Sequence, residues 1–351
     1  MSPVRSFTSR PAARVARLGP VGAALAIALS GCDLVGLGPT AAPATTPGLS
    51  PAGTLGAAPS SSTAGAAWAQ GPDAPLALTE VAAAAHDGRI WVAGGLDGSG
   101  RGVTDVIVLD PGAGTWSDGP PLPAAVHHSA LVSDGDALWL IGGYEGDGFD
   151  RPTDRVLVLQ GTTWVEQAPL PEPRAAGAAA WDGAGRLVYV GGVGRTGPSA
   201  SVFGQFDHGW EPRGTLPEAR EHTAATSDGA GRVVVLGGRR GGLDRNLATV
   251  ELIEADGGIR RLGELPTARG GVAAFWWPAL GACLVGGESP NGTNPQVECI
   301  DLDGRVTVLP SLARPRHGLG AAIVGETAYV LLGGEQPGLF VSGLVETLAL
   351  P

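Results

Sequence analysis

Lysine is absent from this chain of 351 residues: all 23 basic residues are arginine, set against 34 Asp and Glu, for a formal net charge of −11. So acidic a chain is a poor partner for nucleic acid or an anionic membrane surface. Long apolar runs are also lacking. The stretch Leu18 to Leu29 has twelve residues, too short to span a bilayer as an ordinary helix. There is no Gly-rich phosphate loop, no G-x-S-x-G and no carboxylate pair of diagnostic spacing, so the sequence offers no P-loop and no nucleophile elbow. What is abundant is Gly (58) and Pro (29), beside 43% hydrophobic residues. That mixture favours many short strands and many turns, an all-β chain.

The first residues read as an export signal. Arg5, Arg10, Arg14 and Arg17 precede the twelve-residue apolar stretch, and "LSGC" closes it at Cys32. This order resembles a bacterial lipobox, which implies a signal peptide over 1–31 and lipidation of Cys32. An ordinary secretory peptide with a coincidental cysteine is the other reading. Removal of the signal leaves 19 Arg against 34 acidic residues, or −15. Residues 32–66 are rich in Pro, Ala, Gly, Ser and Thr and hold few bulky apolar groups. Such a segment cannot recover its ordering entropy and is expected to be a disordered tether.

The rest is periodic. Gly-Gly follows a short apolar strand at Gly95, Gly143, Gly192, Gly238, Gly287 and Gly334, at steps of 48, 49, 46, 49 and 47 residues. Behind three of the pairs an apolar strand and a turn lead to Trp116, Trp164 and Trp210, and a Leu-Pro begins six residues beyond each. Ile259 and Val306 fill the Trp slot in the last two units. Four residues past the Leu stands an arginine in four units: Arg174, Arg220, Arg269 and Arg316. Leu78 and Val126 fill that slot in the first two. Asp-Gly at Asp87, Asp134, Asp182 and Asp228 predicts tight hairpins in which both central residues take positive φ.

The pattern resembles the kelch repeat. The resemblance implies a six-bladed β-propeller over 67–351, of the galactose oxidase type. The sixth unit lacks a fourth strand, and an orphan strand around Trp68 precedes the first. The N-terminal strand is therefore expected to complete the last blade, which removes two open sheet edges. The tryptophans are expected to plug the spaces between blades.

In some kelch propellers the repeat arginine meets an anionic ligand at the channel mouth. Arg174, Arg220, Arg269 and Arg316, with His127, His222 and His317 nearby, are the candidate binding residues here. The competing reading is that each Arg braces adjacent blades through backbone carbonyls and acidic side chains. His127 and His128 are neighbours, and neighbours on a strand point to opposite faces, so the pair is a poor bidentate metal site. Tyr144, Tyr189 and Tyr329 stand in no copper pattern. Glu145, Asp147 and Asp150 read as solvated loop charges rather than calcium ligands. No metal, cofactor or catalytic residue is expected. Cys283 and Cys299, on adjacent strands of the fifth unit, are either a cross-strand disulfide or two buried thiols.

Three functions fit. The first is an exported, lipid-anchored and monomeric module of the cell envelope that binds a protein or glycan. The alternatives are a carbohydrate-active enzyme of sialic-acid mutarotase type and a purely structural envelope protein. The inner membrane, the outer membrane and the cell surface remain open as locations.

Overall fold

Six antiparallel sheets of four main strands follow one another along the chain. The structure, a computed structural model, describes residues 67–350. Cys32, the signal peptide and the tether lie outside the described residues.

The first blade runs Ala82–His86, Arg89–Ala93, Val106–Asp110 and Thr115–Asp118, paired in that order from the axis outward. The inner strands of the next five are Ala130–Ser133, Ala178–Trp181, Ala224–Ser227, Ala273–Trp277 and Gly320–Val324. Alanine and glycine dominate them because six strands crowd one axis. The larger side chains form six apolar clusters, one at each blade-to-blade interface. Between blades one and two, for example, Val106 and Leu122 meet Leu131, Leu140, Leu157 and Trp164. Burial at these interfaces is the main source of stability, at roughly 25 cal/mol per Å² of apolar surface.

The ring is closed by the N-terminal strand. Ala69 and Gln70 pair with Thr347 and Glu346 on the third strand of blade six. The tryptophans do more than fill space. Trp68 Nε1 donates to Pro310 O at 2.8 Å, Trp116 Nε1 to Pro72 O at 2.9 Å and Trp164 Nε1 to Pro120 O at 2.8 Å. Each of these three reaches the preceding blade and ties it to its own, whereas the buried Trp210 Nε1 in blade three makes no such bond.

The glycine pairs have a definite task. The first glycine is left-handed, with φ of 63° at Gly94, 62° at Gly142 and 64° at Gly191. The second donates its N–H across the blade interface to the carbonyl of the arginine slot in the next blade. Gly143 N meets Arg174 O at 2.8 Å and Gly238 N meets Arg269 O at 2.9 Å. A Cβ on Gly94 would stand 2.3 Å from Val126 O, which is why glycine is needed. In blade six the two roles fall to Leu332 (φ 56°) and Gly333, whose N–H reaches Leu78 O at 2.9 Å. The sixth pair is thus Leu332–Gly333, and Gly334 is one residue past it.

The hairpins also depart from expectation. Only Asp87–Gly88 has two consecutive left-handed residues, φ 50° and 71°. At Asp134, Asp182 and Asp228 the loops are longer, and the aspartate carboxylate itself accepts backbone N–H groups. Asp182 Oδ1 takes Ala184 N at 2.8 Å and Arg186 N at 3.0 Å. The aspartates there act as Asx-type acceptors rather than left-handed turn residues.

Cys283 and Cys299 lie directly opposite each other on the second and third strands of blade five. They form a buried disulfide.

Candidate functional site: the axial mouth

The antiparallel order puts the loops after each glycine pair on the same face as the segments that lead into each inner strand. On that face the axis opens, and the repeat organises the opening through one backbone position.

That position lies two residues after the arginine slot. It is Glu80, His128, Ala176, His222, Gly271 and Gly318 in blades one to six, and all six are left-handed, with φ between 50° and 68°. Their peptide groups form a belt around the axis. His128 N donates to Glu80 O (3.1 Å), Ala176 N to His128 O (2.8 Å) and His222 N to Ala176 O (2.7 Å). Gly271 N then donates to His222 O (3.0 Å) and Gly318 N to Gly271 O (3.0 Å), and Val81 N closes the belt on Gly318 O (3.3 Å). Two positions are glycine, where positive φ is free of strain. Four are not, and each costs about 1–2 kcal/mol.

The strained positions place polar groups on the axis. His128 Nε2 lies 3.1 Å from His222 Nε2 and 3.1 Å from Glu80 Oε2. Ala176, between the two histidines in the belt, is small enough to let their rings meet. Gly318 makes room for Glu80, since a Cβ there would lie 2.8 Å from the Glu80 carboxyl carbon. The residues before the belt add a second layer. His317 Nδ1 stands 3.4 Å from Glu80 Oε1 and 3.7 Å from Glu288 Oε2. Glu221 abuts His222 Nδ1. Arg239 bridges Glu221 (3.0 Å) and Glu288 (2.7 Å). A cavity of about 70 Å³ lies within the belt, lined by residues from all six blades.

Charge follows from these contacts. Burial opposes ionisation of Glu80, but the imidazoles of His128, His317 and His222 outweigh it and hold the carboxyl well below its usual range. Burial, helped by Arg239, pulls His128 and His222 down. Burial also opposes charge on His317, but the Glu80 and Glu288 carboxylates win and raise it. His127 is lowered to about 4, by burial first and His128 second.

Hydrogen bonding selects the tautomers. The Gly148 carbonyl can only accept, so His127 donates to it from Nε2 (3.2 Å). His127 Nδ1 is then an acceptor, and His128 donates to it from Nδ1 at 2.6 Å. His128 Nε2 is left with a lone pair aimed at the axis. His222 donates from Nδ1 to Glu221, which leaves its Nε2 in the same state. His127 and His128 therefore act together. Left-handed φ at His128 breaks the strand alternation that would have sent the rings to opposite faces.

The arginines are elsewhere. The side chains of Arg220, Arg269 and Arg316 are 0% exposed and turned into the sheets. Arg269 donates to Gly286 O (2.8 Å), Thr267 O (2.8 Å) and Leu284 O (3.1 Å), and pairs with Glu298 at 2.6 Å. Arg220 serves Gly237 O and Thr249 O and pairs with Glu251 at 2.6 Å. Arg316 does the same with Leu332 O, Leu344 O and Glu346. Arg174, also buried, pairs with Glu172 (2.7 Å) and lies 5.6 Å over the Phe203 ring. These partners belong to the arginine's own blade, its strands and the segment leading into it, so the fork braces one blade internally. It neither joins adjacent blades through its side chain nor reaches the channel mouth.

His127, His128, His222 and His317 are brought together at the mouth. Glu80, Glu221, Arg239 and Glu288 were missed as site residues. A signal was available: the belt position is glycine in the last two units, and it carries Glu or His in three of the others. Among the loop acids, Glu145 pairs with Arg155 at 3.1 Å and Asp147 accepts Gly102 N at 3.1 Å. Phe149, 60% exposed, stands at the rim with its ring 5.0 Å from His127, 5.4 Å from His128 and 5.6 Å from Tyr144.

The family model for the Kelch motif matches residues 77–123, the whole of blade one with its flanking segments. No curated protein matches the sequence. The matched unit recurs six times in register around a closed ring, and the chain is a kelch-repeat β-propeller.

Proposed function

We propose that this propeller is an exported, lipid-anchored module that binds a protein partner with the face around its axial mouth. The kelch propeller is a protein-binding or scaffold fold, and its ligands are set by loops that differ between blades. The observation that carries the reading is Phe149. It is an exposed aromatic held in place by three buried rings, the kind of anchor that dominates protein interfaces. Leu339 and Phe340, 46% and 45% exposed, lie on the blade-six loop of the same face. The lipobox-like "LSGC" at Cys32 supports the anchor, and residues 32–66 have a tether's composition. The Cys283–Cys299 disulfide suits an oxidising compartment. No helix among the described residues is long and apolar enough to cross a membrane.

A glycan is the second ligand class, and the Glu80 carboxylate with imidazoles beside it would suit proton abstraction from a sugar hydroxyl. The cavity of about 70 Å³ argues against catalysis inside the channel. Small-molecule sites usually measure about 300–1,000 Å³. A sugar would have to sit on the rim, over Phe149.

A photo-crosslinking amino acid at position 149, compared with one at exposed Val308 on the outer strand of blade five, tests the reading in envelope membranes. A discrete protein adduct from 149 and none from 308 supports it. A glycan adduct moves the reading to the second class, and no adduct from 149 removes the binding face. Fatty-acid labelling with and without Cys32→Ala tests the anchor. An unlabelled parent chain would favour plain secretion.

A further inference from the structure

Three donor atoms of metal-ligating type converge on the propeller axis. The Gly148–His127–His128 chain fixes His128 Nε2 as an acceptor. The Glu221 carboxylate fixes His222 Nε2 as an acceptor. Glu80 Oε2 is a third, and these three atoms all lie within 4.8 Å of one another. Contacts of 3.1 Å between such atoms need a proton or a metal cation among them.

We propose that Glu80, His128 and His222 bind a divalent transition-metal ion of the zinc class at the mouth of the channel. Two imidazoles and one carboxylate are a borderline-soft donor set that suits Zn²⁺ and disfavours Ca²⁺ and Mg²⁺, which take oxygen ligands. Metal–ligand distances of about 2.0–2.2 Å put neighbouring donor atoms roughly 3.0–3.4 Å apart for angles between right and tetrahedral. Both 3.1 Å separations at His128 Nε2 fall in that interval. The third donor pair, His222 and Glu80, lies within 4.8 Å and would have to draw in on the ion.

Two features independent of the donor set agree. The outer nitrogen of each ligand histidine is held by a partner, Glu221 for His222 and His127 for His128. Such outer partners orient metal-ligating histidines and fix their tautomers. Furthermore, all three ligands occupy belt positions that force a non-glycine residue into left-handed backbone. Strain of that kind persists at sites where the side chain is needed. Three protein ligands leave a fourth position, which faces the cavity and is open to water or to a group carried by a partner.

The fourth position links the site to the binding face without depending on it. Phe149 packs on both His127 and His128, so a partner that shifts Phe149 would act on a ligand and on the residue that orients it.

The test uses the full chain, purified in detergent and stripped with a chelator. Co²⁺ is the spectroscopic probe and Zn²⁺ its competitor. The wild-type chain is expected to take up about one equivalent of Co²⁺ with a visible ligand-field band, displaced by Zn²⁺. His222→Gln and His128→Gln should each weaken binding at least about 100-fold. Glu221→Gln, which alters the partner of the outer nitrogen of His222 and leaves the three ligands in place, should weaken it by about 10-fold or more. His208→Ala, at an exposed histidine outside the cluster, should change nothing. X-ray absorption on the wild-type zinc form needs no variant and should show two imidazoles in the shell. Absence of saturable Co²⁺ uptake, retained affinity in His222→Gln, or a shell with fewer than two imidazoles overturns the proposal.

Discussion

His128 Nε2 and His222 Nε2 face each other at 3.1 Å although their residues lie in blades two and four. Ala176 of blade three separates them along the belt, with its backbone bonded to both. It is the backbone belt that arranges that meeting.

Ala176 has φ of 54°, a conformation that glycine adopts without strain. Ala176→Gly should therefore leave stability unchanged or raise it by about 1 kcal/mol. Ala176→Val should lower it by about 1–3 kcal/mol, because a β-branched residue tolerates left-handed backbone poorly. Urea unfolding of the two variants checks the sign of each change.

Leu332 poses the opposite balance. It is also left-handed, with φ of 56°, but its side chain is 0% exposed in the interface between blades six and one. Relief of backbone strain is worth about 1–2 kcal/mol. Removal of a buried leucine side chain costs about 2–5 kcal/mol. Leu332→Gly should destabilise the protein even though glycine fills this slot in the other five blades. A higher denaturation midpoint in that variant would show that strain, not packing, governs the slot.

The repeat arginines should separate by burial. Arg269→Ala leaves Glu298 and at least three carbonyls without their partner in the sheet interior, at a cost of about 3–5 kcal/mol. Arg174→Ala should cost clearly less, because its carboxylate partner Glu172 is 63% exposed and can turn to water. Calorimetric melting of the pair measures the difference, and equal losses would contradict the bracing account.

Asp97 offers a local titration on the mouth face. The Ser99 hydroxyl first, then the Arg101 and Ser99 backbone N–H groups, lower its pKa to about 2. These bonds favour the ionised form, so their contribution is complete above the ordinary aspartate range. It is lost as pH falls through about 2. Ser99→Ala should move the carboxyl back up, as read from its carbonyl resonance in an NMR titration.

The fold was legible because its signals are local and repeated. The glycine pairs follow from a steric need that recurs in every blade, and the missing fourth strand of the last unit marks where the ring closes. The sixth pair misled by one residue because Leu332 takes the left-handed role that only glycine marks in a sequence. The arginines admit two readings in the sequence, ligand contact at the mouth or a brace between blades. Nothing in the spacing says whether a guanidinium turns toward the axis or into its sheet, and the buried Glu251, Glu298 and Glu346 decide that. The mouth was the least legible part. His127 and His128 read as alternating strand residues until ring closure forces His128 into left-handed backbone, and closure is a property of all six blades at once. Glu80 and His222, 142 residues apart in sequence, come within 4.8 Å of each other for the same reason.

The central claim is that the belt presents two neutral histidines with both Nε2 lone pairs turned to the axis. A long-range ¹H–¹⁵N correlation spectrum of the histidine side chains near pH 7, recorded on metal-free protein, tests it directly. The account predicts that His128 and His222 are both protonated at Nδ1 and bare at Nε2. A proton on Nε2 of either ring would contradict it.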